Sequence, residues 1–162
     1  MLEFLSWLEG SALAGFLRGL GIWTYGLLNL GHILGIASLF GAVLLLDLRL
    51  IGSWSSIPAT QLIRPCVPVA AAGFLLAALS GLMMVTFNAS EYHGNPFFYL
   101  KFPLIVAGLI NVAVIQRLTA WRRAAQGQPL VSADRRVLAV FGAVSLLLWT
   151  GVIACGRMIG YW

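Results

Sequence analysis

His32 is the residue of this sequence with the most chemistry to offer. It stands in Gly31-His32-Ile33-Leu34-Gly35, inside an uncharged run from Gly19 to Leu46. An ionisable side chain inside a membrane span marks a functional site by default. Imidazole is a good ligand for iron and copper. The neighbouring glycines, Gly31 and Gly35, would leave room for a flat ring such as a porphyrin. The alternative is structural: the same glycines let two helices pack closely, and His32 hydrogen-bonds a neighbouring helix through Asn111 or Ser80. Proton handling is a third role open to the same imidazole.

Two cations belong to the same question. Lys101 lies five residues after Pro96, about 7 Å along a helix that would begin there, and Pro103 follows it. Arg157 lies in the closing Gly156-Arg157-Met158. Both fall toward the side of the membrane from which His32 is reached, so they would suit the two carboxylates of a haem whose iron sits deeper. Each also has a simpler role. Lys101 can snorkel to the surface, and Arg157 can anchor at the interface beside Tyr161 and Trp162. Sulfur offers a competing site. Met83, Met84, Cys155, Met158 and His93 carry the thioether, thiol and imidazole groups that suit Cu(I), although methionine in an apolar helix usually only packs. Met84 and His93 are also the candidates for a second axial haem ligand, which is otherwise unassigned.

The elements that must position these residues are membrane spans. Of 162 residues, 60% are hydrophobic and 9% charged, against about 25% charged in a soluble domain. Mean hydropathy is +0.94. This composition excludes a soluble enzyme, a nucleic-acid-binding domain and a disordered regulator. It predicts an all-α integral membrane protein, an antiparallel four-helix bundle with spans at about 21–46, 65–88, 96–117 and 137–157. The third begins at Pro96 because Asn95-Pro96 offers a cap and a proline suited to the first helical position. Ser132-Ala133-Asp134 offers a cap to the fourth, and Gly127-Gln128-Pro129 a turn before it. Residues 1–20 alternate apolar side chains with Glu3, Glu9 and Arg18. They lack a basic start, so they read as an amphipathic helix on the membrane surface; a signal-anchor is the alternative.

Net charge is +5. Arg49, Arg64, Arg117, Arg122, Arg123, Arg135 and Arg136 fall in the two connections on one side, against Arg18, Lys101 and Arg157 on the other. The positive-inside rule then puts both termini of an inner-membrane, multi-pass protein on the periplasmic side. Two cysteines without a CxxCH motif exclude c-type haem attachment. No Ser-His-Asp set, HExxH, P-loop or dinucleotide fingerprint is present. The partners expected are the lipid bilayer, a redox partner or larger membrane complex, and a second copy of the chain; no nucleic acid is expected.

The run from Gly31-His32 to Asp47-Leu48-Arg49-Leu50, with Asn95-Pro96-Phe97-Phe98-Tyr99-Leu100-Lys101 and Gly156-Arg157, resembles a family of small uncharacterised four-span bacterial inner-membrane proteins. More distantly it is similar to the copper-resistance protein D domain and to the membrane protoporphyrinogen oxidase family, which is associated with haem b. The oxidase pattern has a histidine in the first span and a lysine at the start of the third, matching His32 and Lys101. Ser38, Phe40, Gly41 and Arg49-Leu50 follow a similar spacing, but Leu39 stands where the oxidases have tryptophan, and the arginine is offset by about one position. The resemblance implies haem b or porphyrin binding, in electron transfer or porphyrin oxidation, and not the oxidase activity itself. A copper-binding or copper-transport protein and a cofactor-free subunit of a membrane complex are the alternatives.

Overall fold

The computed structural model describes residues 2–162 and is all-α. In chain order the helices are α1 (Leu2–Glu9), α2 (Ala12–Gly19), α3 (Trp23–Ile51), α4 (Ala59–Val85), α5 (Pro96–Arg117), α6 (Thr119–Ala125) and α7 (Ser132–Met158). A 3-10 turn, Ala89–Tyr92, precedes α5, and another, Ile159–Tyr161, follows α7. Among the described residues four helices, α3, α4, α5 and α7, are long and apolar enough to cross a membrane.

Each helix ends for a local reason. Gly52 adopts φ +126 just past α3, and the Ser53 amide returns to the Leu48 carbonyl at 2.9 Å, the bond that closes a helix on a left-handed glycine. Gly127, at φ +71, does the same for α6, with the Gln128 amide on the Arg123 carbonyl. This is the turn expected at Gly127-Gln128-Pro129. Helix α5 keeps its expected bounds, opened by Pro96. Three expected spans are displaced. Helix α3 runs on to Ile51 through Asp47 and Arg49, and α4 starts at Ala59 and carries Arg64, Pro65 and Pro68 within it. At 29 residues α3 is about 43 Å long, more than the roughly 30 Å hydrocarbon core, so charges at its end need not break it. Helix α7 begins at Ser132, with Val131 at the cap position and no side-chain cap. Asp134 instead pairs with Arg123 at 2.9 Å.

The residues form two compact units, Met1–Leu39 with Ala71–Asn95, and Phe40–Ala70 with Pro96–Trp162. In the second, Ala42, Leu46, Leu50, Ile63, Cys66, Ile115 and Leu138 make the apolar core. Both units hide polar side chains (Ser80 in the first; Asp47, Asn111 and Ser145 in the second) while Leu75, Leu82, Val106, Ile110 and Leu147 stand exposed. A soluble protein avoids such a surface. It suits a chain whose surroundings are lipid.

In place of one amphipathic helix over residues 1–20 there are two short ones; Met1 lies outside the described residues. The break falls at Gly10-Ser11, where Ser11 Oγ accepts from the Ala14 amide and caps α2. Leu5, Ala14 and Leu17 turn inward, while Phe4, Trp7, Leu13 and Phe16 are exposed. Glu9 fastens this segment to the turn before α5, its carboxylate accepting from the Ser90 amide at 2.9 Å. Arg18 donates to the carbonyls of Glu9 and Phe87. The Ser90 amide, and then the Ser90 hydroxyl, hold the Glu9 carboxyl below the ordinary carboxylate range, against a smaller upward push from desolvation and with help from Arg18. Because the folded value is the lower one, this contribution is present at neutral pH and is lost as pH falls through the depressed value. Acidification, or Glu9→Gln at neutral pH, should therefore lower the protection of the Ser90 amide, its exchange compared with that of an open amide at the same pH. Protection that stays unchanged in both cases would show that this bond does not hold the segment.

Candidate functional site

His32 lies on α3 against α4, within the first unit. Its Nδ1 is 2.7 Å from the Ala77 carbonyl oxygen. A carbonyl only accepts, so Nδ1 carries a proton. Ser80 Oγ lies 3.4 Å from the same nitrogen and donates its own proton to the Leu76 carbonyl at 2.6 Å. The ring rests on Gly81: a Cβ there would stand 2.9 Å from His32 Cε1. Of the two partners expected from sequence for a structural role, Ser80 touches the ring. Asn111 lies in the second unit and donates to the Phe141 carbonyl at 3.2 Å.

The space at Gly35 is taken up by α4, which corrects the expectation that this glycine leaves room for a flat ring. A Cβ on Gly35 would stand 2.6 Å from the Ala77 amide nitrogen, and one on Gly73 would stand 2.5 Å from that of Leu39. The backbones of α3 and α4 thus fill the space that Gly35 opens. Gly31 is in ordinary contact with Leu76 and Ser80. Among these residues, His32 has the donor chemistry of a metal ligand, and its glycines have the geometry of a helix contact.

Lys101 and Arg157 lie in the second unit. Lys101 is half-buried, and its amine lies 3.5 Å from where a Cβ on Gly156 would stand, beside Cys155. No hydrogen-bond acceptor meets that amine among the described residues. Arg157 turns back on its own helix end. It donates to the Tyr161 hydroxyl, and its guanidinium carbon lies 4.6 Å from the Tyr161 ring centroid. Arg157 is thus engaged with one of the two aromatic residues that close the chain. Met83, Met84 and His93 belong to the first unit, Cys155 and Met158 to the second. Among the described residues no three of His, Cys, Asp and Glu gather as a metal-binding group.

Sequence reasoning passed over Asp47, which it took as the start of a loop. It lies in α3, is 6% exposed, and its carboxyl lies beside Ser145 of α7. Gly142, one turn before Ser145, lets α7 approach: a Cβ there would lie 3.1 Å from the Asp47 carbonyl oxygen. The signal available in the sequence was the spacing Gly142-Ser145 on one helix face, but it names no partner.

A model for a family of unknown function, DUF6644, matches residues 4–162. The chain belongs to that family. Neither curated proteins nor solved structures gave a match. The match to the DUF6644 model spans α3 to α7 and most of α1, so it takes in His32, Asp47, Lys101 and Arg157.

Proposed function

We propose that this DUF6644 protein is a multi-pass protein of the bacterial inner membrane that binds haem b or a related porphyrin. His32 would hold its iron. The observation that supports this most is the 2.7 Å bond from His32 Nδ1 to the Ala77 carbonyl. Metal-ligating histidines almost always donate their other ring N–H to such a partner, which fixes the tautomer and raises the basicity of the ligating nitrogen. Lys101 supports it second. A cation held inside a span without an acceptor suits a carboxylate of the bound group. Arg157 is the lesser contact, since its guanidinium already engages Tyr161. When bound, the porphyrin would supply one-electron or porphyrin-oxidising chemistry. The chain's own part is to orient the imidazole through the Ala77 carbonyl.

The close backbone contact at Gly35, Gly73 and Ala77 favours a second reading, a cofactor-free subunit in which His32 bridges α3 to α4. The visible absorption spectrum of protein purified after growth with ample haem separates the two. A Soret band is expected. Its absence, with copper held stoichiometrically, would favour a copper-binding protein; its absence with no metal would favour the subunit.

The orientation follows from the seven-to-three division of basic residues noted above. With the connection holding Arg117 to Arg136 in the cytoplasm, a cysteine at Gln128 should resist impermeant thiol reagents in intact cells and react once the cells are opened. Rapid labelling in intact cells would reverse the topology.

A further inference from the structure

Asp47 has no part in the site just described. Its side chain is more than nine-tenths buried. Ser145 of α7 lies beside the carboxyl. Asp47 Oδ2 is buried with no hydrogen-bond partner among the described residues. An ionised carboxylate offers about four lone-pair sites to donors, and the neighbour here is a hydroxyl.

Among the described residues no cation pairs with it; the one ion pair there joins Arg123 to Asp134. Arg49, two residues on, donates through Nε to the Ile57 carbonyl at 2.6 Å and through Nη2 to the Ser55 carbonyl. On α7 the nearest charged residue along the chain from Ser145 is Arg136, about 14 Å away along the helix. A bare carboxylate in such surroundings is far costlier than the neutral acid.

We infer that Asp47 and Ser145 form a proton-binding site near the C-terminal end of α3, with the proton held on Asp47 Oδ2. Binding is the addition of one proton to the carboxylate; no other bond forms or breaks. The Ser145 hydroxyl donates to the second oxygen and fixes the carboxyl plane. Gly142 lets α7 come close enough for that hydroxyl to reach.

The chain has two aspartates, Asp47 and Asp134. Full-length protein carrying carbon-13 in its aspartate carboxyls, reconstituted in lipid bilayers at neutral pH, therefore reports on these two groups alone. Asp134, paired with Arg123, supplies the ionised reference. Infrared difference spectra against unlabelled protein should show one carboxylate and one acid carbonyl stretch, clear of lipid esters because only it moves with the label. Deuterium oxide and Ser145→Ala should each shift the acid band, and Asp47→Asn should remove it. Two carboxylate bands with no acid band, in sodium or in potassium buffer, would overturn the proposal. So would an acid band that survives Asp47→Asn or ignores Ser145→Ala. The labelled wild-type spectrum decides the matter even where a variant fails to insert.

Discussion

His32→Ala should abolish the Soret band of protein grown with ample haem, while the circular dichroism of the helices stays as it was. Loss of an outer partner behind a metal ligand already costs about 10–100-fold in affinity; loss of the ligand should cost at least that. The fold should survive because α3 and α4 remain joined at Gly35, Gly73 and Ala77, a contact that does not involve the imidazole. The substitution does take one donor from the Ala77 carbonyl, which keeps Ser80 Oγ at 3.3 Å, and leaves a gap over Gly81. A moderate loss of stability is therefore expected alongside the lost band. Lys101→Met should lower haem occupancy without removing the band, since it takes away one carboxylate contact and leaves the ligand. Full occupancy in Lys101→Met would return Lys101 to a snorkelling role. A Soret band of full intensity in His32→Ala would remove His32 from the site.

Gly73→Ala should destabilise the protein although alanine is the better helix former. Propensity favours the change by about 1 kcal/mol. Against it, the new Cβ would stand 2.5 Å from the Leu39 amide nitrogen and 2.8 Å from the Gly35 carbonyl oxygen. Both are backbone atoms, so no side chain can swing away and the helices must separate. Overpacking in a tight interior costs about 1–3 kcal/mol, and separation also loosens the neighbouring contact at Ala77, so the penalty should win. Each kcal/mol lost lowers the thermal midpoint by about 2–4 °C in a chain of this size. Gly35→Ala should behave alike, with its Cβ 2.6 Å from the Ala77 amide nitrogen. Gly26→Ala on the same helix meets nothing within 4 Å and should be neutral or slightly stabilising. Equal midpoints for Gly26→Ala and Gly73→Ala would mean that this contact is not made.

The four spans were legible because stretches without charge are long and rare, and α5 was legible to the residue because Pro96 opens it. What charge could not show is where helices continue beyond the lipid. Asp47 and Arg64 were taken as bounding a loop, whereas α3 and α4 carry them; Asp47 is shielded by α7, and Arg64 lies one turn into α4. The glycines of α3 were legible as a packing face, but their partner was not. Gly73 on α4 completes the contact with Gly35. His32 could be singled out from its type and place alone. Its tautomer depends on a carbonyl 45 residues away, and the proton site depends on a serine from another helix. Neither follows from spacing within one segment.

The bond between Glu9 and Ser90 joins residues 81 apart in sequence, which has a consequence for the order of events at the ribosome. A chain grows by about 5–20 residues each second during synthesis, so Glu9 is made roughly 4–16 s before its partner. For that interval α1 and α2 have emerged with Phe4, Trp7 and Phe16 but with no turn to rest on. Their first resting place is the membrane surface or a chaperone that covers those rings. The clasp closes only after α3 and α4 have both been delivered, and its appearance would time-stamp completion of that hairpin during synthesis.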